Sequence, residues 1–389
     1  MSRSHAIRHS PQPGRCVRAT GACYWFSDPS DANLKASRDA LDRGLALDPD
    51  SPELHIAEGY YHYWGHHDYA RALTAADAAL HAIPNDADLL QLRGFILRRK
   101  GDWNASLVAQ QRALEFDPRN ALGHAELALT FIKLRDFGRA ETHIEAALEL
   151  DSQWGWARMA KAIVLIERDR AIDAALVQLT IPELGNTQPA MRHWWLLVAR
   201  GDFDAALVSA DLGRYAEDRN ALWPPALLRG LTHRYAGHDE ESMVELAKAT
   251  EEIEARLLAN PNFGPALAAL CLTLGAMGER TATEAACTKL LETTVADAME
   301  IGEVRYLAAS SLALAGSPEQ SLVVIETALS NPHYTGVAHF ELDPAFAGLR
   351  TDARFIALMD RFRNGAAIFR IERRMHTLQT GRDGLPDPP

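Results

Sequence analysis

Four cysteines in 389 residues, Cys16, Cys23, Cys271 and Cys287, are too few and too scattered for a disulfide-stapled secreted scaffold, and none forms a CxxC pair. That scarcity predicts a reducing compartment, with Cys271 and Cys287 as apolar core thiols on helical stripes. Nowhere do eighteen uncharged apolar residues follow one another, so no helix is expected to span a membrane. The first 26 residues carry positive charge but no apolar run of signal-peptide length, which predicts a cytoplasmic protein. An excess of positive charge is also missing. Lys and Arg number 40 against 52 Asp and Glu, a net charge of -12, and this disfavours nonspecific binding to nucleic acid or to an anionic membrane.

Signatures of catalysis are absent as well. The sequence has no GxxxxGK[ST], no GxGxxG after a strand, no HExxH and no GxSxG, so no catalytic residue, no enzyme activity and no cofactor is expected. His62, His66 and His67 come nearest to a metal cluster, but Gly65 interrupts the helix between them and no Cys or carboxylate is spaced to complete a tetrahedron. The sequon at Asn104 falls at a helix start in a chain without an export signal. Acidic pairs such as Glu240-Glu241 and Glu251-Glu252 read as solvated helix faces.

What is present is helical periodicity that returns at a fixed interval. With 47% hydrophobic and 24% charged residues the composition is that of a globular chain able to bury a large core. Between Ala87 and Pro118, Leu90, Arg93, Gly94 and Leu97 share one helical stripe and Ser106, Gln110 and Ala113 another, with Gly101-Asp102-Trp103 as the turn. Gly94 is small where two helices must approach, Trp103 opens the second helix and fills the gap, and Pro118 stops it. Pro49, Pro84 and Pro118 end successive units, Gly59 takes the place of Gly94 one unit earlier, and Asp151-Ser152 closes the next. A pair of helices this short cannot bury its apolar face alone, so neighbours must stack on it.

These residues resemble the tetratricopeptide repeat. The resemblance implies an all-α, right-handed superhelical solenoid of about eight helix pairs. The expected division is a basic disordered tail over 1–17, an N-terminal array over 18–152, a degenerate repeat and loop over 153–190, a C-terminal array with a capping helix over 191–378, and a second disordered tail over 379–389. Residues 1–38 hold six Lys or Arg against Asp28 and Asp31, which makes that end locally basic. Residues 155–178 show a helical stripe without a good turn, so the array is expected to loosen there.

In such arrays the first helix of each unit lines a concave groove, and the outward positions are predicted to be Tyr60, Tyr63 and Trp64, then Gln91, Phe95, Arg98 and Arg99, then Lys133. Aromatics beside cations suit a protein or peptide partner with acidic or C-terminal carboxylate groups; packing of Tyr60 and Trp64 on a neighbouring unit is the alternative. The carboxylate-clamp variant of the repeat carries Lys and Asn where this chain has Ile56 and Tyr60, which argues against chaperone tails. The stretches 59–73 and 340–362 are further similar to the C-terminal repeat region of bacterial signalling proteins, where repeats follow an adenylate cyclase, a winged-helix regulator or a kinase. That resemblance implies a scaffold or a regulatory arm, with catalysis or DNA binding belonging to an upstream domain not found in these residues.

Overall fold

The structure, a computed structural model, describes residues 31–179, 187–211, 221–293 and 297–364. Among them there is no strand longer than an isolated bridge, and helices follow one another in pairs. A single helix α1 (Asp31–Leu47) precedes α2 (Pro52–Tyr60), which runs on as a π turn over Tyr61–Gly65 and pairs with α3 (Tyr69–Ala82). Next come α4 (Ala87–Arg99) with α5 (Trp103–Phe116), α6 (Ala121–Lys133) with α7 (Phe137–Leu150), α8 (Gly155–Asp169) with α9 (Ile172–Leu179) and α10 (Thr187–Arg200) with α11 (Phe203–Asp211). The series continues with α12 (Pro225–Ala236) and α13 (Asp239–Ala259), α14 (Gly264–Met277) and α15 (Arg280–Thr293), then α16 (Ile301–Leu314) and α17 (Pro318–Leu329). A short α18 (Val337–Leu342), a 3-10 turn (Pro344–Leu349) and α19 (Ala353–Asn364) follow the last pair.

A common turn explains the regularity. Each pair reverses through one residue with positive φ: His67, Gly101, Arg135, Arg170, Gly201, Gly237, Gly278 and Gly316 in order. Asp often comes next and caps the second helix, as Asp68 does for Arg71, Asp102 for Ala105, Asp136 for Arg139 and Asp202 for Ala205. The loosened repeat expected over 155–178 is therefore a full pair, α8 with α9. Its turn escaped notice because Arg170 occupies the left-handed position, at φ 55°, where other pairs use glycine. Similarly, the loop expected to reach Pro189 gives way to helix at Thr187, since proline is tolerated in a first helical turn.

The close approach at Gly94 is real: a Cβ there would lie 2.6 Å from Gln110 Cγ, and Ser106 Oγ donates to Gly94 O at 2.7 Å. Ser242 to Gly230 and Ser321 to Ala309 repeat that bond at the same spacing of twelve residues. Gly59 packs near Leu92, and Trp103, half-buried, opens α5. Helices end just before Pro49, Pro84 and Pro118. Cys271 and Cys287 are fully buried as expected, but they form a disulfide across the α14–α15 pair with Cα atoms 5.5 Å apart. The free-thiol expectation is corrected, because these two positions, sixteen residues apart on the facing sides of α14 and α15, meet within the pair.

The described residues form two compact units, the first comprising 31–130 with 149–151 and 297–299, the second the other described residues. In the first, Ile56, Leu89, Leu92 and Ile96 build a core with Ala72, Ala76 and Ala79. In the second, Phe355, Leu358, Met359 and Phe362 of α19 are buried, as a cap requires. The first helix of the curtailed repeat, the two tails, Cys16, Cys23 and the extension of the terminal helix past Asn364 lie outside the described residues.

Candidate functional site

The residues predicted to line a groove in the first unit fall into two groups. Tyr60, Trp64 and Phe95 are half-buried and lie over the core of Ile56, Leu92 and Ile96. Tyr63, Gln91, Arg98 and Arg99 are instead buried, at 2, 6, 4 and 9% exposure. Lys133, in the second unit, is 2% exposed and its ammonium stands 4.6 Å from the centre of the Tyr334 ring. The expectation that these cations point outward is corrected.

The cause is the position of the arginines in the last turn of α4, where the neighbouring first helices press in from both sides. Arg98 donates to Glu126 Oε2 at 2.6 Å, to Thr130 Oγ1 at 2.9 Å and to the Glu126 carbonyl. Arg99 donates to Asp297 Oδ2 at 2.6 Å and to the Tyr63 hydroxyl at 2.9 Å, and Tyr69 donates to the same Asp297 carboxylate. A buried guanidinium needs such partners, since desolvation otherwise outweighs what attraction returns. Cations at a helix C-terminus also meet the negative end of its dipole.

A second site, invisible to the sequence reading, lies within the second unit. After α17 the chain does not leave the fold; residues 333–343 lie across α8, α10 and α16. Glu167 of α8 accepts from the backbone N–H groups of Gly336 at 2.8 Å and Ala338 at 3.2 Å, and from His339 Nδ1. Burial opposes its charge, but His339 and those N–H donors outweigh burial and hold its pKa below the usual glutamate value. Burial pushes the His339 imidazole down, with Glu167 pulling it partly back, so the ring is neutral at neutral pH. In that tautomer Nδ1–H donates to Glu167 and Nε2 accepts from Arg192 Nη1 at 2.5 Å. Trp195 stacks on His339 with ring centres 4.5 Å apart and donates to Asp343, which also accepts from the Tyr306 hydroxyl. Burial and the Asp343 charge push the Tyr306 pKa well above its ordinary value, so it keeps the proton it donates.

These groups wall a cavity of about 90 Å³. Met159 and Ile163 of α8, Met191 and Trp194 of α10, Trp223 and Leu307 supply its apolar surface, while Arg192, Glu303 and His339 bring charge and polarity. No serine, cysteine or lysine nucleophile lines it, and no group of three or more potential metal-ligating side chains occurs among the described residues. The arrangement can bind and orient a small molecule. Its only sequence signal was Glu167, a carboxylate inside the apolar run AIVLIERD, where an interior charge demands a partner.

No family model matches the sequence, and no curated protein matches it either. Among solved structures, that of yeast Tom70 is similar over 92% of this chain and 70% of that one, with a TM-score of 0.52 at 14% identity. The human IFIT1 dimer is similar over 97% of both chains, at 13% identity and a TM-score of 0.48. A tetratricopeptide repeat protein from Parabacteroides merdae covers 62% of this chain and 93% of its own, at 16% identity and a TM-score of 0.44. At 14% identity the likeness to Tom70 shows fold alone, and it agrees with the helix pairing described above. In fold, the chain is an all-α solenoid of tetratricopeptide-like helix pairs.

Proposed function

We propose that the protein is a non-catalytic scaffold that binds a protein or peptide partner along the first helices of its pairs. The observation that supports it is the row of half-buried aromatics Tyr60, Trp64 and Phe95, contributed by neighbouring pairs and seated on a rigid core. Aromatic side chains of this kind give large contact area at low entropic cost, as interface anchors usually do. Arg98 stands 5.3 Å from the centre of the Phe95 ring. An acidic or C-terminal carboxylate of a partner would meet Arg98 or Arg99 only by displacing Glu126 or Asp297, so the aromatics carry more of the binding than the cations. Photocrosslinking amino acids at Tyr60 and Phe95 test this in cells. The same partner captured from both sites supports the reading, and capture no greater than from exposed Val177 of the second unit sinks it.

A second reading, a regulatory arm of a bacterial adenylate cyclase, winged-helix regulator or kinase, is favoured by the 340–362 stretch. Those residues form the closing elements α18, the 3-10 turn and α19, and their sequence resembles the end of the repeat region in such signalling proteins. An in-frame cyclase, kinase or winged-helix domain upstream in the gene would favour the arm over the free-standing scaffold.

A further inference from the structure

The cavity of the second unit combines features that a mere packing defect lacks. Its volume of about 90 Å³ is room for several water molecules or a small solute. Arg192 spends Nη1 on His339, and its guanidinium lies 5.2 Å from the centre of the Tyr334 ring. Burial disfavours the Arg192 charge, and the negative charge of Glu303, with that of Glu167, partly offsets that cost. Glu303 brings a carboxylate to the same cavity, and the rings of Trp194, Trp195, Trp223 and Tyr306 complete the wall.

We propose that this cavity binds a small zwitterion, of the class of free α-amino acids and their N-methylated betaines. A guanidinium with donors to spare takes a carboxylate, and aromatic faces beside an acid take an ammonium group. Charge balance selects the zwitterion over simpler ions. Arg192 and Glu303, the latter also beside His333, already offset one another in charge, so a plain monocarboxylate or a plain amine would add net charge to a partly desolvated site, whereas a molecule carrying both charges adds none. Met159, Ile163 and Leu307 then limit the side chain to a small apolar group. This binding is independent of the partner surface on the first unit, and either could fail without the other.

Calorimetric titration of the full chain tests it, with the twenty common L-amino acids, glycine betaine, acetate, propionate and ethylammonium as probes. Quenching of the cavity tryptophans gives a second readout. The expected result is saturable binding of at least one zwitterion with Kd at or below about 1 mM, and binding of its matching monocarboxylate and amine at least about tenfold weaker. Betaine binding more tightly than glycine supports the proposal with the ammonium on the aromatic faces; the reverse supports it with the ammonium on Glu303. Arg192→Met should weaken binding at least about tenfold. Because that change disturbs His339, Leu307→Trp serves as a second variant that fills the cavity and keeps both charges, and it should abolish binding at unchanged fold. The proposal is overturned if no zwitterion binds below about 10 mM, if a monocarboxylate binds equally well, or if Leu307→Trp binds undiminished.

Discussion

The Glu167 carboxylate accepts a hydrogen bond from the Gly336 backbone nitrogen at 2.8 Å, across 169 residues of chain. This contact, with those to Ala338 and His339, ties the segment after the last pair onto α8. Glu167→Ala would leave these buried donors unsatisfied and His339 without its orienting partner. We expect a loss of about 1 to 3 kcal/mol, the usual cost of leaving buried donors unsatisfied. Urea unfolding of the second unit, followed through its tryptophans, should shift accordingly, and protease cleavage near residues 333–343 should accelerate. A shift below about 1 kcal/mol would show that the contact is dispensable.

Acid should weaken the same region before ordinary carboxylates titrate. Burial holds both His333 and His339 below their usual value of 6.5; Lys133, His339, Arg192 and Arg135 push His333 further down, with Glu303 3.8 Å away. A group with a depressed folded pKa contributes stability that is present above its unfolded pKa and lost as pH falls toward the folded one. Stability should therefore decline from about pH 6.5 downward, at up to about 1.4 kcal/mol per pH unit for each such histidine. Glu167, whose folded pKa lies below 4.5, adds a further loss below that pH. The melting temperature of His333→Gln should depend less steeply on pH between 6.5 and 5 than that of the wild type. Identical slopes would mean that His333 does not drive the decline.

How much of this was legible in the sequence depends on the range of the contacts. Gly94, Ser106 and Pro118 could be placed because helix, turn and stop lie within one repeat and each has a local physical signature. The Arg170 turn could not, since an arginine in a left-handed conformation carries no mark in the sequence. The direction of Arg98 and Arg99 was misread because the helical stripe fixes a face but not which neighbour covers it. The Glu167, His339 and Arg192 cluster joins residues more than 140 positions apart, a distance that no periodicity encodes.

The corrected burial reverses one expectation for mutagenesis. If Arg98 and Arg99 were exposed, replacing both with Ala would leave stability almost unchanged. Paired and buried as they are, Arg99→Ala alone should cost about 3 to 5 kcal/mol by stranding Asp297 and the Tyr63 hydroxyl. Thermal denaturation of the single variants decides the matter, and a melting temperature equal to wild type would return the arginines to the surface.

The disulfide offers a prediction with a chemical readout. Cys271 and Cys287 enclose a loop of 16 residues, for which the chain-entropy account gives about 3 kcal/mol of stabilisation. Alkylation of unfolded, unreduced protein should leave both unmodified in a peptide map, and prior reduction should expose them. Reduction should also lower the melting temperature of wild type but not of the Cys271→Ala, Cys287→Ala double variant. Full alkylation without reductant, in protein purified under air, would show that the pair stays open.

Two glycines at close helix contacts should respond differently to the same methyl group. At Gly94 a Cβ would come 2.6 Å from Gln110 Cγ, in a buried side chain tied to Ser106 and Thr130, but no closer than 3.4 Å to backbone, and the better helix propensity of Ala returns up to about 1 kcal/mol. At Gly275 the atoms met are the carbonyl oxygen of Ser311 at 2.4 Å and its Cα at 2.9 Å, so two backbones of α14 and α16 must separate. Overpacking of that kind costs about 1 to 3 kcal/mol or more, and no rotamer change relieves it. Gly275→Ala should therefore destabilise clearly more than Gly94→Ala. Hydrogen exchange would locate the effect, with faster exchange in α14 and α16 for the first variant and a smaller change in α4 and α5 for the second. Equal effects, or the reverse order, would mean that α14 and α16 do not meet backbone to backbone at Gly275.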